Sequence, residues 1–128
     1  MPSGLILIRW DNQVGPILVK AFPENLKVTN NLLTQIYSAH RYSSLAANFS
    51  SLTLKNSKIV SFFSGMEEGK IVGVPNYVVA LILRRDENIQ AFRDILKKAA
   101  AEILGNIDNK KYEKLMPKIY QEMSQVKG

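Results

Sequence analysis

The sequence has no cysteine and a single histidine. The first absence excludes disulfides, cysteine-ligated zinc, iron–sulfur clusters and thiol catalysis, and it is compatible with a reducing cytoplasm. The second removes most histidine chemistry. His40 falls four residues after Ile36 on an apolar stripe and reads as a packed, hydrogen-bonded or half-exposed residue, with no partner nearby in sequence for a ligand or base. No serine sits in a G-x-S-x-G elbow, and one histidine supports no Ser/His/Asp arrangement. Long apolar runs are missing too. None reaches the roughly 18 residues of a membrane span. The run Leu5-Ile6-Leu7-Ile8 is stopped by Arg9, too early for the core of a signal sequence. The expected location is therefore the cytoplasm.

Charge asymmetry is also lacking. The net charge is +6, but residues 1–83 carry seven Lys/Arg against four Asp/Glu and residues 84–128 carry ten against seven. Neither part is a basic arm. The densest group, Lys110, Lys111, Lys114 and Lys118, is interleaved with Glu113 and reads as a solvated helix face, with at most a peripheral contact to anionic lipid or an acidic partner. A single-strand binder would interleave aromatics with Lys/Arg. Phe62-Phe63 has no such neighbours, and adjacent strand residues point to opposite faces. No specific nucleic-acid partner is expected.

The remaining motif candidates fail on spacing. Residues 65–70 (GMEEGK) superficially resemble a phosphate-binding loop. Three residues separate the glycines where four are needed, and Ile71 follows Lys70 where Ser or Thr is required. Two glutamates there would also repel phosphate. Asp11 and Asn12 have no further carboxylates at calcium-loop spacing. The residues thus offer no catalytic group, no metal ligand and no cofactor site.

What is present is an ordinary globular composition: 128 residues, 46% hydrophobic and 22% charged. This is the size of one domain, spanning 1–128, and it can bury a core without staples. Residues 5–10 and 17–22 read as two strands joined by a polar turn with Gly15-Pro16, an antiparallel hairpin that Pro23 ends. Thr29 or Asn30 caps a helix whose stripe is Leu32, Leu33, Ile36, Tyr37 and His40. Residues 51–55 alternate like a half-exposed strand, and 59–64 form its partner. Residues 71–74 are a short strand or an extended part of a loop. Residues 77–83 (YVVALIL) form the strongest strand, expected centrally with both faces covered. Asp86 or Asn88 caps a long helix whose expected buried stripe is Ile89, Phe92, Ile95, Leu96, Ala99, Ala100, Ile103 and Leu104, and Gly105 ends it. The segment 109–125 is helical, with Pro117 either kinking it or starting a new helix. The order ββαβββαα predicts an α/β fold of α+β type. Its five-stranded, mainly antiparallel sheet carries one helix on one face and two C-terminal helices on the other.

Three stretches carry a resemblance. They are GLILIRWDNQVGPILVKAFPE (4–24), LLTQIYSAHRYS (32–43) and YVVALILRRDENIQAF (77–92). Together with the element order they resemble the longin domain family, most of all short single-domain archaeal members. The related roadblock architecture begins with a helix, whereas this chain begins with strands. The resemblance covers roughly residues 3–105 and is topological. It implies a non-catalytic protein-interaction module, an adaptor or scaffold in small-GTPase regulation or vesicle trafficking. The implied partners are a small GTPase or another longin or roadblock-type domain, with a homodimer as one form. The surfaces it implies are the groove beside the first helix, with Leu33, Tyr37 and His40, and a sheet edge. Strand 51–55 is short and polar on one face. It is expected at an edge, which makes Ser51, Thr53 and Lys55 candidates for partner binding.

Overall fold

Four aliphatic residues in succession, Leu5 to Ile8, are all buried, so the strand that contains them is covered on both faces. The computed structural model describes residues 3–11, 15–23, 25–41, 48–54, 57–63, 77–106 and 111–123. The elements are β1 (Gly4–Asp11), β2 (Gly15–Phe22), α1 (Asn30–Arg41), β3 (Asn48–Thr53), β4 (Ser57–Phe63), β5 (Tyr77–Arg84), α2 (Ile89–Leu104) and α3 (Tyr112–Met123). The expected order ββαβββαα is the observed one. The five strands lie in the order β2-β1-β5-β4-β3, and every pairing is antiparallel. The apolar strand β5 occupies the centre. Residues 71–74, the further strand candidate, lie outside the described residues.

Alternation along the strands divides the core into two layers. Ile6, Ile8, Ile59, Phe63, Val78 and Ala80 meet Leu33, Ile36 and Tyr37 of α1. On the other face, Leu5, Leu7, Val60, Phe62, Val79 and Leu81 meet Phe92, Leu96 and Ile103 of α2 and Met116, Ile119 and Met123 of α3. Each buried Val, Leu, Ile, Phe or Met side chain among these contributes about 1.5–3 kcal/mol by leaving water.

Strand β2 departs from the simple strand expected over 17–22. Leu7 faces Lys20 while Ile8 faces Leu18, so Val19 is an extra residue in the ladder. In a regular strand Leu18 and Phe22 would share a face. The bulge separates them: Leu18 packs with the α1 layer, and Val19 and Phe22 pack with the α2/α3 layer. Phe22 then meets Tyr120 of α3 edge-on, with ring centroids 5.2 Å apart. The hairpin closes with Asp11 opposite Gly15, and Gly15 has φ 89, a conformation glycine adopts without strain. Pro16 lies on this edge strand, where a missing N–H is tolerated.

The helix ends resolve the capping alternatives. Thr29 Oγ1 accepts from the Leu32 N–H at 3.1 Å, which makes Thr29 the cap of α1. Asn88 Oδ1 accepts from the Gln90 N–H at 3.0 Å, which makes Asn88 the cap of α2. Gly105 follows α2 in a right-handed conformation, φ −70 and ψ −12, and so does not use its access to the left-handed region. Pro117 lies inside a single helix, α3. No helix among the described residues is long and apolar enough to cross a membrane.

Candidate functional site at the open edge of the sheet

The two faces of the sheet are covered unequally. On one, α1 reaches both edge strands, β2 and β3. On the other, α3 lies over β1 and β2, and α2 lies over β4 and β5. Two helices about 10 Å across cover roughly 20 Å. Five strands about 4.8 Å apart need roughly 24 Å. One strand is left over on this face, and it is β3.

The remainder is a groove of about 330 Å³ between β3 and the first turns of α2, lined by Phe49, Ser50 and Ser51 of β3, Val60 of β4, and Ile89, Gln90 and Arg93 of α2. Phe49 is only partly buried and is sheltered by two contacts. Its ring meets Phe62 edge-on at 5.1 Å, and the Arg93 guanidinium carbon lies 4.9 Å over its centroid, a cation–π contact. No carboxylate lines the groove among the described residues. Lys58, opposite Thr53 in the ladder, brings a second cation to the same face and donates to the Glu87 carbonyl at 3.1 Å.

The backbone of β3 can be oriented from its hairpin. Leu54 N–H bonds to the Ser57 carbonyl at 2.8 Å, so Leu54 points its polar groups at β4. Antiparallel ladders alternate. Leu52 and Ser50 therefore do the same, and Phe49, Ser51 and Thr53 direct N–H and C=O outward. Among the described residues no strand pairs with that side. The opposite edge, β2, is blunted by Pro16, Lys20 and the bulge at Val19, the devices that discourage edge pairing. Strand β3, sequence NFSSLT, has none of them, and its register with β4 is unbroken.

The residues proposed from sequence separate under this geometry. Ser51 and Thr53 are exposed on β3, at the open edge. Leu33 and Tyr37 are not surface residues: each is 2% exposed, because the stripe of α1 faces the sheet. Tyr37 stacks on Trp10 at 4.5 Å and meets Phe63 edge-on at 5.6 Å. Leu33 and Tyr37 thus belong to the core beneath α1 and present no exposed side-chain surface to a partner. His40 lies in the last turn of α1, and its side chain is outside the described residues, as is Lys55. Sequence reasoning missed Phe49, Gln90 and Arg93. Phe49 lies two residues before Ser51 on the same strand face, a signal readable from strand alternation; Arg93, next to Phe92 on α2, carries no mark in the sequence that sets it apart from a solvated cation.

Among the described residues no group of three His, Asp or Glu side chains could hold a metal ion. The shifted ionisations belong to tyrosines of α3. Burial first, then the charge of Glu87, raises the Tyr120 hydroxyl above its ordinary value of 10.0. Burial, Glu113 and Tyr77 raise Tyr112 in the same direction. Both stay protonated near neutrality, and neither lines the groove. In comparisons with known proteins, the chain matches no protein-family model and no curated sequence.

Proposed function

We propose that this chain is a non-catalytic protein-interaction module of longin type, acting in the cytoplasm as an adaptor in small-GTPase regulation or a trafficking-like process. The observation that carries the interaction reading is the edge of β3: outward backbone groups, no blunting device, and a groove beside it. The longin reading is supported by the opening hairpin, by the order ββαβββαα, and by one helix on one sheet face with two on the other. The lack of cysteine supports the cytoplasmic location.

The test is capture of small GTPases from the same cell, loaded with either GDP or a non-hydrolysable GTP analogue, by the immobilised chain. Binding that depends on the nucleotide is the expected result. Absence of binding in both states removes the GTPase partner. Measured by gel filtration, a homodimer would instead favour a roadblock-like platform.

A further inference from the structure

We infer that the β3–α2 groove takes an extended acidic segment of a partner protein, added to the sheet as a sixth strand, with two carboxylates four residues apart. This rests on the interaction reading above and specifies its ligand.

The spacing follows from the ladder. Phe49, Ser51 and Thr53 offer outward N–H and C=O groups, and their side chains face α2. A strand added here pairs with those three residues, and its own side chains opposite them also face α2. Arg93 stands over Phe49 at one end. Lys58 lies across the ladder from Thr53 at the other. From Phe49 to Thr53 is roughly 13 Å along the strand. Carboxylates at positions i and i+4 of the added strand stand opposite Phe49 and Thr53, on the sheet face that carries both cations: the first next to Arg93 in the groove, the second separated from Lys58 by the width of β3 and reached by the long lysine side chain, and the residue between them enters the groove near Ser51 and Val60.

The charge on this face is uncompensated by groove residues. Glu87, the buried carboxylate nearby, already accepts from the Arg84 N–H at 2.9 Å. Asp94 is adjacent to Arg93 in sequence but turns about 100° round the helix and does not line the groove. Lys58 gives its carbonyl contact one N–H and has two more. A second copy fits less well. Antiparallel pairing of β3 with β3 about a two-fold axis puts both sets of Arg93 and Lys58 on one face, and β3 itself carries no carboxylate.

The experiment measures binding by fluorescence anisotropy of a labelled Thr/Val-rich peptide carrying Glu-x-x-x-Glu, against matched Gln-x-x-x-Gln and Lys-x-x-x-Lys peptides. The glutamate peptide should bind the native chain at least about ten-fold more tightly than the glutamine one, the weight of a charge-assisted hydrogen bond. Arg93→Glu with Lys58→Glu should reverse the preference towards the lysine peptide. Ser51→Pro removes an outward N–H without removing a β3–β4 bond, and it should abolish binding of either peptide while circular dichroism stays native. Equal binding of the glutamate and glutamine peptides overturns the proposal. So does unchanged binding by the folded Ser51→Pro variant, or a homodimer that Ser51→Pro dissociates. If GTPase capture persists while no peptide binds, the strand proposal alone is lost; if the peptide binds and no GTPase does, the interaction reading stands without that partner.

Discussion

Replacing Glu87 by alanine should destabilise the fold by about 2–4 kcal/mol, and the reason is local. Glu87 belongs to the turn between β5 and α2 and is 4% exposed. Its Oε1 accepts from the Arg84 N–H at 2.9 Å. A hydrogen bond to a charged acceptor is worth about 1.5–3 kcal/mol, and its loss leaves a part-buried donor without that acceptor. The lost methylene adds about 0.8 kcal/mol. The Arg84 ion pairs contribute little beside this. Arg84 Nε stands 3.9 Å from both Glu87 Oε1 and Asp86 Oδ1; the Asp86 pair is exposed at both ends and the Glu87 pair at its arginine end, 60% exposed, so solvent screening holds each to about 1 kcal/mol or less. Glu87→Gln keeps the shape and a neutral acceptor, so its cost should be nearer 1 kcal/mol. For a chain of this size 1 kcal/mol moves Tm by roughly 3–5 °C. Thermal melts and urea titrations of the two variants therefore separate them. The alanine protein should melt roughly 10 °C below the native one, and the glutamine protein less than half as far. Equal losses for the two would refute the hydrogen-bond account, as would an alanine variant within about 0.5 kcal/mol of native, the range of ordinary surface changes.

Three further predictions concern other layers. Stability should be insensitive to Tyr120 below pH 10 and should fall as the pH rises from 10.0 through the raised folded-state value, because the folded state holds the proton that the unfolded state releases; Tyr120→Phe should flatten that decline in urea titrations at high pH. Leu33→Ala should cost about 2–5 kcal/mol as a core truncation, whereas Ser51→Ala should stay within about 0.5 kcal/mol; similar values for the two would contradict the burial of the α1 stripe. Pro117→Ala should raise stability by about 2 kcal/mol, the roughly 3 kcal/mol helix-interior penalty less up to about 1 kcal/mol of unfolded-chain restriction, and an unchanged urea midpoint would show that the surroundings of Pro117 have absorbed the penalty.

The three-layer fold, with its core on both faces of the sheet, was legible because its signals are local and redundant. An unalternating run at Leu5 to Ile8 means cover on both faces wherever it occurs, and the seven apolar residues from Tyr77 to Leu83 could only be central. Capping side chains sat where the stripes began, so the choice between Thr29 and Asn30 was a matter of one residue. The bulge at Val19 was not legible. It depends on register against β1, and the run Ile17-Leu18-Val19 has an apolar side chain at every position, so no polar residue marks the slip.

The candidate site was half legible for a different reason. That strand 51–55 is polar on one face suggested an edge, and Ser51 and Thr53 are there. The stripe of α1 carries no mark that distinguishes a face buried against its own sheet from one left for a partner; an apolar stripe is the same sequence in both cases. Only the cover of the opposite face decides it. Two helices spread over four strands leave the fifth only partly covered on that side, while α1 alone spans both edges on the other. The groove is therefore a consequence of helix width set against strand count, a property of the assembled layers. This also explains why Arg93 escaped notice. On α2 by itself it is one more solvated cation, and it becomes a groove residue because β3, with Phe49 beneath it, extends past the helix layer.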